Sequence, residues 1–234
     1  MSDAPTNWEP IAPFDRRVLG VLIEKQKTSK SADAYPMTLN SILIGCNQKS
    51  NRDPVYELDE VEVEESLDAL QRRGMVMKMT GSRVDRYRHL LYELWKVTKV
   101  EMAVVAELLL RGPQTEGDLR GRASRMEEIK TLEELREMLK SLAERKLVIY
   151  LSPPERRGSM VTHGFHEPAE FDREKTKHAS GASEPEPAPP RAAAAADSKF
   201  ADLHAEIVQL REAVKRQDHE IALIKVALGM VEAV

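Results

Sequence analysis

The stretch from Cys46 to Tyr56, CNQKSNRDPVY, decides how the helices on either side of it are arranged. Residues 47–53 are all polar, so the stretch cannot be a core element of any period. Asn, Ser and Asp side chains bond to nearby backbone groups, and Pro54 pushes Asp53 towards an extended conformation. The stretch therefore predicts an ordered polar loop between two helices.

Two interpretations of this loop stay open at the level of sequence. In the first, the loop is a donor-rich recognition surface for a base edge, a phosphate or a peptide. In the second, it is a self-bonded connector that holds the neighbouring helices apart. The candidate recognition residues are Asn47, Gln48, Lys49, Asn51 and Arg52.

Around the loop, the apolar spacing predicts three helices and a hairpin. The first helix runs from Phe14 to about Lys27, the second begins after Thr38, and the third runs from about Asp59 to Arg73. Residues 76–80 and 84–89 alternate around Gly81-Ser82, which is typical of two paired strands.

The same order then recurs. A helix over 97–111 is followed by a short helix after Thr115, a third helix after Thr131 with a capping box to Glu134, and strands over 147–151 and 160–165. Three helices and a hairpin, twice, predict a mainly α fold with small β-hairpins and a tandem winged-helix architecture.

Downstream, the composition changes twice. Residues 167–198 are rich in Pro, Ala, Glu and Ser and predict a disordered linker. The final residues repeat apolar side chains at alternating spacings of three and four, which predicts a coiled coil. The predicted divisions are a tail at 1–12, winged-helix domains at 13–92 and 93–166, a linker at 167–198 and a coiled coil at 199–234.

The predicted coiled coil carries β-branched residues at three a positions, which favours a parallel homodimer. Antiparallel or trimeric pairing, or a helix that folds back on the rest of the chain, are the alternatives. The seam consists of Phe200, Leu203, Ile207, Leu210, Val214, Gln217, Ile221, Ile224, Leu228 and Val231.

Composition narrows the function classes. A net charge of -4 gives no global attraction to polyanions, and the single cysteine excludes an internal disulfide. No apolar run reaches the length of a membrane span, and the amino terminus lacks the pattern of a signal peptide. We therefore expect a cytoplasmic protein that does not interact with membranes.

No catalytic constellation stands out, and the sequence predicts neither an enzyme, a cofactor nor a small-molecule substrate. Cys46 lies on the apolar face of the second helix, so we expect a buried small hydrophobe rather than a nucleophile. His163 and His166 have a loose ligand-like spacing, but they lack acidic or thiol company and are expected to be ordinary histidines.

Charge argues against groove insertion by the third helices. Residues 57–68 carry seven acids and no Lys or Arg, whereas DNA binding requires counterion release by cations. Lys and Arg residues cluster elsewhere in the sequence. These clusters are interpreted either as solvated faces or as contacts for phosphate or an acidic protein. The candidate basic wing is Lys78, Arg83, Arg86 and Arg88, and the candidate patch in the second domain is Arg111, Arg120, Arg122 and Arg125.

With these residues assembled, the chain resembles the YceH family, uncharacterised bacterial proteins of tandem winged-helix architecture. The resemblance covers about residues 14–165, and the second wing departs from it, with Met160-Val161 where the family pattern suggests an Arg-Tyr pair. The matching segments are residues 22–26, Tyr35-Pro36, residues 46–55, Arg83-Val84 with Tyr87 and His89, residues 108–115, and Arg120, Arg122, Arg125 and Met126.

The resemblance implies a fold but no activity. From the residues themselves we expect a dimeric binding module that docks on a protein or a protein–DNA assembly. The alternative is a DNA-binding regulator that uses its basic wings and the loop from Asn47 to Arg52.

Overall fold

Helices dominate a computed structural model that describes residues 8–81, 83–154 and 158–179, and short antiparallel strands complete each half. The predicted class, mainly α with small β elements, is confirmed. Among the described residues, no helix is both long and apolar enough to cross a membrane.

The first half contains three helices and three strands, with a 3-10 turn at Ala32–Ala34. Each helix begins where the sequence expects it to within a residue or two. The elements are α1 (Pro13–Thr28), β1 (Met37–Thr38), α2 (Leu39–Cys46), α3 (Glu60–Arg72), β2 (Val76–Met79) and β3 (Arg86–His89).

A short helix, α4 (Leu91–Trp95), leads into the second half, where the same order of elements recurs. The elements are α5 (Lys99–Arg111), β4 (Gln114–Thr115), α6 (Glu116–Ala123), α7 (Leu132–Glu144), β5 (Val148–Tyr150) and β6 (Met160–His163), followed by α8 (Pro168–Ala179).

Each half closes with a three-stranded antiparallel sheet whose last strand is central. The strand orders are β1-β3-β2 and β4-β6-β5. Tyr87 pairs with both Met37 and Lys78, and Val161 pairs with both Gln114 and Tyr150. The sequence did not predict β1 and β4, because two residues are too few to show an alternating pattern.

Side-chain caps start most of these helices. Complete capping boxes join Asp59 to Glu62 at α3 and Thr98 to Glu101 at α5. The box predicted at α7 is only half correct: the hydroxyl of Thr131 accepts from the Glu134 amide, but the Glu134 carboxylate accepts from the amide of Lys130.

The core lies where α1 packs against α5. A Cβ at Gly20 would stand 2.8 Å from the side chain of Leu110, so a larger residue could not hold the two helices this close. Ile11 is fully buried, and its amide donates to the carbonyl of Phe165 at 3.0 Å. The predicted domain boundary at 92/93 falls inside α4, and one hydrophobic cluster extends across both sides of it.

The predicted disordered linker is wrong for residues 168–179, which form α8. The carboxylate of Glu170 binds Arg16 on α1, and Phe171 packs near the ring of His166, so these residues have fixed partners. The composition that predicted disorder belongs mainly to the Pro- and Ala-rich residues after 180. The rest of the predicted linker, the coiled-coil seam from Phe200 to Val231 and the dimer it would form lie outside the described residues.

Candidate recognition surface and the cleft beside it

The polar loop between α2 and α3 closes on itself through Asn47. The side-chain Oδ1 accepts from the amide of Leu58 at 2.9 Å, and Nδ2 donates to the carbonyl of Leu58 at 2.7 Å. Both ends of the loop are therefore joined by one amide side chain, which favours a connector over an open recognition loop at this residue.

Arg52 points inwards rather than towards a partner, with its side chain fully buried. Its guanidinium donates to both carboxylate oxygens of Glu24, at 2.5 and 3.2 Å, and to the amide oxygen of Gln48 at 2.9 Å. The carbonyl of Gly45 accepts from its Nε at 3.0 Å. A forked pair of this kind is both strong and directional, so Arg52 is committed to the interior.

Asn51 joins the loop to the arginine patch of the second half, although the sequence predicted two separate sites. Its Oδ1 accepts from Arg125 at 3.0 Å and also from Arg111. Arg111 in turn lies 3.1 Å from a carboxylate oxygen of Glu107, whose pKa is raised by burial. Of the five candidate loop residues, Lys49 is the one with an exposed side chain and no internal bond among the described residues.

Of the remaining patch arginines, Arg120 binds the shorter connection between α6 and α7, and Arg122 binds strand β4. Arg120 donates to the carbonyls of Ile129 and Lys130, at 3.4 and 3.1 Å, and Arg122 donates to the side-chain oxygen of Gln114 at 2.8 Å. The predicted patch is thus largely a set of structural donors.

The basic wing is partly neutralised. Lys78 pairs with Asp85 at 2.8 Å, and Arg86 donates to the carbonyls of Asp33 and Pro36 at 2.7 and 2.8 Å. Arg88 contacts the sulfur of Met77 at 3.6 Å, and Arg83 is exposed. Three apolar side chains, Met77, Met79 and Val84, are also exposed on this wing.

The outer face of α3 combines acids with apolar side chains. Glu60, Glu64, Glu65 and Asp68 are exposed, and Val61 between them is 60% exposed. Ile44 on α2 and Val55 in the loop are also exposed. A groove of about 320 Å³ runs between the start of α1 and α3, lined by Phe14, Asp15, Glu62, Glu65 and Ser66 with Ala12 and Pro13.

Arg17, which the sequence reasoning missed, lies at the junction of the two halves. It is 1% exposed and donates to the carbonyls of Cys46, Pro54 and Leu110, at 3.1, 2.6 and 3.4 Å. Its guanidinium stacks on the ring of Tyr56 at 4.5 Å, and burial lowers its pKa. The signal that could have identified Arg17 is its position, as a charged residue, within the apolar stripe of α1.

Cys46 is fully buried beside Arg17, as predicted. Burial raises the pKa of its thiol to about 12, outweighing the nearby arginines that favour the thiolate. The thiol therefore stays protonated at neutral pH, which is unsuited to nucleophilic chemistry.

A second missed cluster anchors α8. Arg16 binds both carboxylate oxygens of Glu170, at 2.6 and 3.0 Å, and lies 3.4 Å from His163 and 3.2 Å from His166. The pKa of Glu170 is lowered: burial acts against this, but the bonds from His166 and Arg16 outweigh it. Within residues 8–81, 83–154 and 158–179, no His, Cys, Asp and Glu cluster could hold a metal ion.

His163 has a counterpart in the first half. His89 and His163 each end the central strand of a sheet, opposite Val76 and Val148 respectively. Each accepts at Nδ1 from the amide two residues on, at 3.4 and 3.3 Å. Burial lowers the pKa of both, that of His89 to about 4. His163 is therefore an ordinary strand histidine in its backbone position, but it is buried and lies against Arg16.

Between these clusters lies a cleft of about 570 Å³. Its walls come from α1, the loop, the end of α5, the region after β6, and α8. The lining residues are Pro13, Arg16, Arg17, Asp53, Pro54, Tyr56, Leu109, Arg111, Gly112, Pro113, His163, His166, Glu167, Glu170, Arg173, Glu174 and Lys177.

The family model described as "Protein of unknown function, DUF480" matches residues 11–158, which include the first half, the polar loop and the second half as far as β5. The chain belongs to this family. The matched relatives of this DUF480 chain carry the name UPF0502, which is the YceH family, so the resemblance found in the sequence is confirmed.

Curated relatives of this DUF480 protein cover most of its length. A UPF0502 protein of Rhodopirellula baltica is 44% identical over 180 residues, which are 75% of each chain. One from Hahella chejuensis is 45% identical over 161 residues, 65% of this chain and 73% of the relative. One from Pseudomonas aeruginosa is 37% identical over 194 residues, 82% and 86% of the two chains.

Proposed function

We propose that this protein is a dimeric, non-enzymatic adaptor that docks on another protein, alone or in a protein–DNA assembly, through the outer face of α3. The observation that carries the proposal is the combination of exposed acids and exposed Val61 on that helix. The exposed acids favour a basic partner surface, and Val61 among them would add an apolar contact.

The architecture in this proposal is a tandem winged helix. It is supported by the order of three helices and a hairpin in each half and by the matching sheet topologies. In such a fold α3 occupies the place of the groove-reading helix. Its acids would repel phosphates, so a protein surface suits it better than the major groove.

The internal bonds of the arginines also favour a protein partner over DNA. Arg52 is buried against Glu24, and Arg111 and Arg125 both donate to the side-chain oxygen of Asn51. These groups would have to break internal bonds before they could contact phosphate. A proposed coiled coil in residues 199–234 would pair two docking faces, which raises avidity for a repeated or dimeric partner.

A capture experiment with the full chain tests the α3 face. Three baits are compared: the parent chain, the α3 variant Glu60→Lys with Glu64→Lys, and a matched control. The control is Glu133→Lys with Glu137→Lys on the equivalent helix α7, where both acids are also exposed. We expect one basic protein to be retained by the parent and the control and lost by the α3 variant. The purified protein must then bind the parent directly; equal loss in both variants contradicts the proposal.

DNA binding is tested separately on mixed genomic DNA with increasing salt. The exposed cations Lys49 and Arg83 are the ones best placed for phosphate. We expect weak binding with a shallow salt dependence. Tight binding with a steep slope that disappears in Lys49→Glu with Arg83→Glu would overturn the adaptor in favour of a DNA-binding regulator.

A further inference from the structure

We propose that the cleft between α1, the loop, the end of α5 and α8 binds a small organic anion that carries phosphate or carboxylate groups. The cleft is separate from the α3 face and was not expected from the sequence. Its volume of about 570 Å³ falls in the range of small-molecule sites, and it is too small for a duplex or a folded partner.

The first reason is the buried charge of Arg17, which forms no ion pair among the described residues; the carboxylate that acts on it, Asp53, is exposed. All hydrogen bonds of its guanidinium go to carbonyl oxygens among the described residues, and its Nε is buried without a partner. A guanidinium keeps its charge inside a protein, and a buried charge is costly unless an opposite charge lies near it. An anion in the adjoining cleft would supply that charge.

The second reason is the difference in burial between the cations and the carboxylates that line the cleft. Arg17 and Arg111 have buried or largely buried side chains. Of the four lining carboxylates, Asp53 and Glu167 are exposed, so water screens them. Glu170 is paired with Arg16, and Glu174 lies 3.9 Å from Lys177 and 3.3 Å from His178. Positive charge at the base therefore acts on a ligand more strongly than negative charge at the rim.

The third reason is the donors that remain. Arg111 uses Nε towards Glu107 and one terminal nitrogen towards Asn51, and its other terminal nitrogen has no partner within the described ranges. On the opposite wall, Arg173 and Lys177 of α8 are exposed cations. Among the residues that the structure describes, Arg173 uses only Nε, towards the carbonyl of Ala169, and Lys177 lies 3.9 Å from Glu174. Cations on two facing walls can bind one oxyanion between them.

Glu170 shows how an oxyanion is held in this environment. Its carboxylate takes two bonds from Arg16 and lies 3.3 Å from Nδ1 of His166. Because Arg16 is already neutralised in this way, the ligand would bind beside it, against Arg111 and α8. Pro13, Pro54, Leu109 and Pro113 provide apolar walls for the organic part of the ligand.

The test is calorimetric titration of the full chain with pyrophosphate, adenosine monophosphate and citrate, with ionic strength matched by sodium chloride. We expect one saturable site per chain for at least one probe at up to millimolar concentration. Binding of the two phosphates alone identifies a phosphate site, and binding of citrate alone identifies a carboxylate site. Either result supports the proposal.

Helix α8 provides both a test variant and a control variant. Lys177 lines the cleft, whereas Lys175 is exposed on the same helix outside it. We expect Arg173→Gln with Lys177→Gln to weaken binding about tenfold and Lys175→Gln to change it less than about twofold. Thermal unfolding of the unliganded variants checks that α8 stays docked.

Three outcomes would overturn the proposal: no saturable heat with any probe, equal weakening in the two sets of variants, or unchanged binding in all variants. If the double variant unfolds early, Arg111→Gln serves in its place, because Arg111 lies on α5 and reports on the same cleft from the opposite wall.

Discussion

The two halves of this protein share an order of elements, but they connect their second and third helices in different ways. In the first half, residues 47–59 depend on a buried pair between Arg52 and Glu24 and reach across to the second half through Asn51. In the second half, residues 124–131 are held by Arg120, which donates to backbone carbonyls, and by Glu127, which pairs at 2.8 Å with the buried side chain of Lys27 on α1. Both connections therefore pair with α1, but the longer one supplies a buried arginine bound by both oxygens of Glu24, whereas the shorter one supplies a partly exposed carboxylate.

The difference extends to the histidines that end the central strands. His89 lies 2.8 Å from the neutral amide oxygen of Gln26, whereas His163 stacks on His166 at 3.9 Å and faces Arg16. The same backbone position therefore contacts an uncharged side chain in one half and the guanidinium of Arg16 in the other, although Lys27 and Arg88 also act on His89. Repeated topology has kept the position but not its electrostatic surroundings.

The largest effect should come from the buried pair. Replacing Arg52 with Met leaves Glu24 without its partner and should lower the free energy of unfolding by about 3–5 kcal/mol. Arg120→Met in the second connection should cost only about 1 kcal/mol, because its lost bonds are to carbonyls. Urea unfolding of the full chain at pH 7 measures both.

Two further variants separate the pair from general effects on the loop. Lys49→Met changes an exposed side chain of the same loop and should stay within about 0.5 kcal/mol of the parent. Glu24→Gln combined with Arg52→Met should recover part of the loss. If Arg52→Met costs no more than Arg120→Met, the two connections do not differ as we infer.

The next effect concerns pH and His89. Its pKa is lowered from 6.5 to about 4, so the unfolded chain binds a proton more readily than the folded one between these values. Stability from this residue is complete above pH 6.5 and is lost as the pH falls towards 4, with about 2 kcal/mol lost by pH 5.

Urea unfolding at pH 7.5, 6 and 5 measures this dependence. His89→Gln should lower stability at pH 7.5 and remove about 2 kcal/mol from the difference between pH 7.5 and pH 5. His178→Gln on α8 is the control, because its ring is partly exposed and paired with Glu174. An unchanged pH difference in His89→Gln would show that the histidine is not held neutral.

The smallest effect compares two helix glycines. A Cβ at Gly45 on α2 would lie 2.5 Å from the side chain of Val21, whereas one at Gly121 on α6 would meet nothing within 4 Å. Gly45→Ala should therefore cost about 1–2 kcal/mol through overpacking, and Gly121→Ala should gain about 0.5 kcal/mol from helix propensity. Thermal unfolding of the two variants should give shifts of opposite sign.

Local patterns in the sequence were sufficient for α1–α3, α5–α7 and the strands of three or four residues, because an apolar stripe needs only its own residues to be visible. Arg52 and Glu24 are 28 positions apart, and nothing local shows that the arginine turns inwards. The predicted recognition loop and arginine patch were likewise assigned to separate sites, although Asn51 joins them.

The amino-acid composition led to a wrong prediction for α8 and did not indicate the cleft. The acid- and lysine-rich residues of α8 were assigned to the same linker as the Pro- and Ala-rich segment that follows them. They are held in place by the distant Arg16, which binds Glu170. The cleft depends on Arg17, whose isolated position in an apolar helix face was visible but whose surroundings were not. Side chains that bridge distant segments are what a single sequence does not reveal.

The close packing of α1 on α5 also determines how the chain can be divided for study. A cut at residue 92 or 93 would break α4 and leave Gly20 and Leu110, which meet at this contact, on bare helix faces of separate fragments. Each fragment produced alone would present that face to water, whereas the two produced together could cover one another. Either half is therefore best expressed with the other in the same cell.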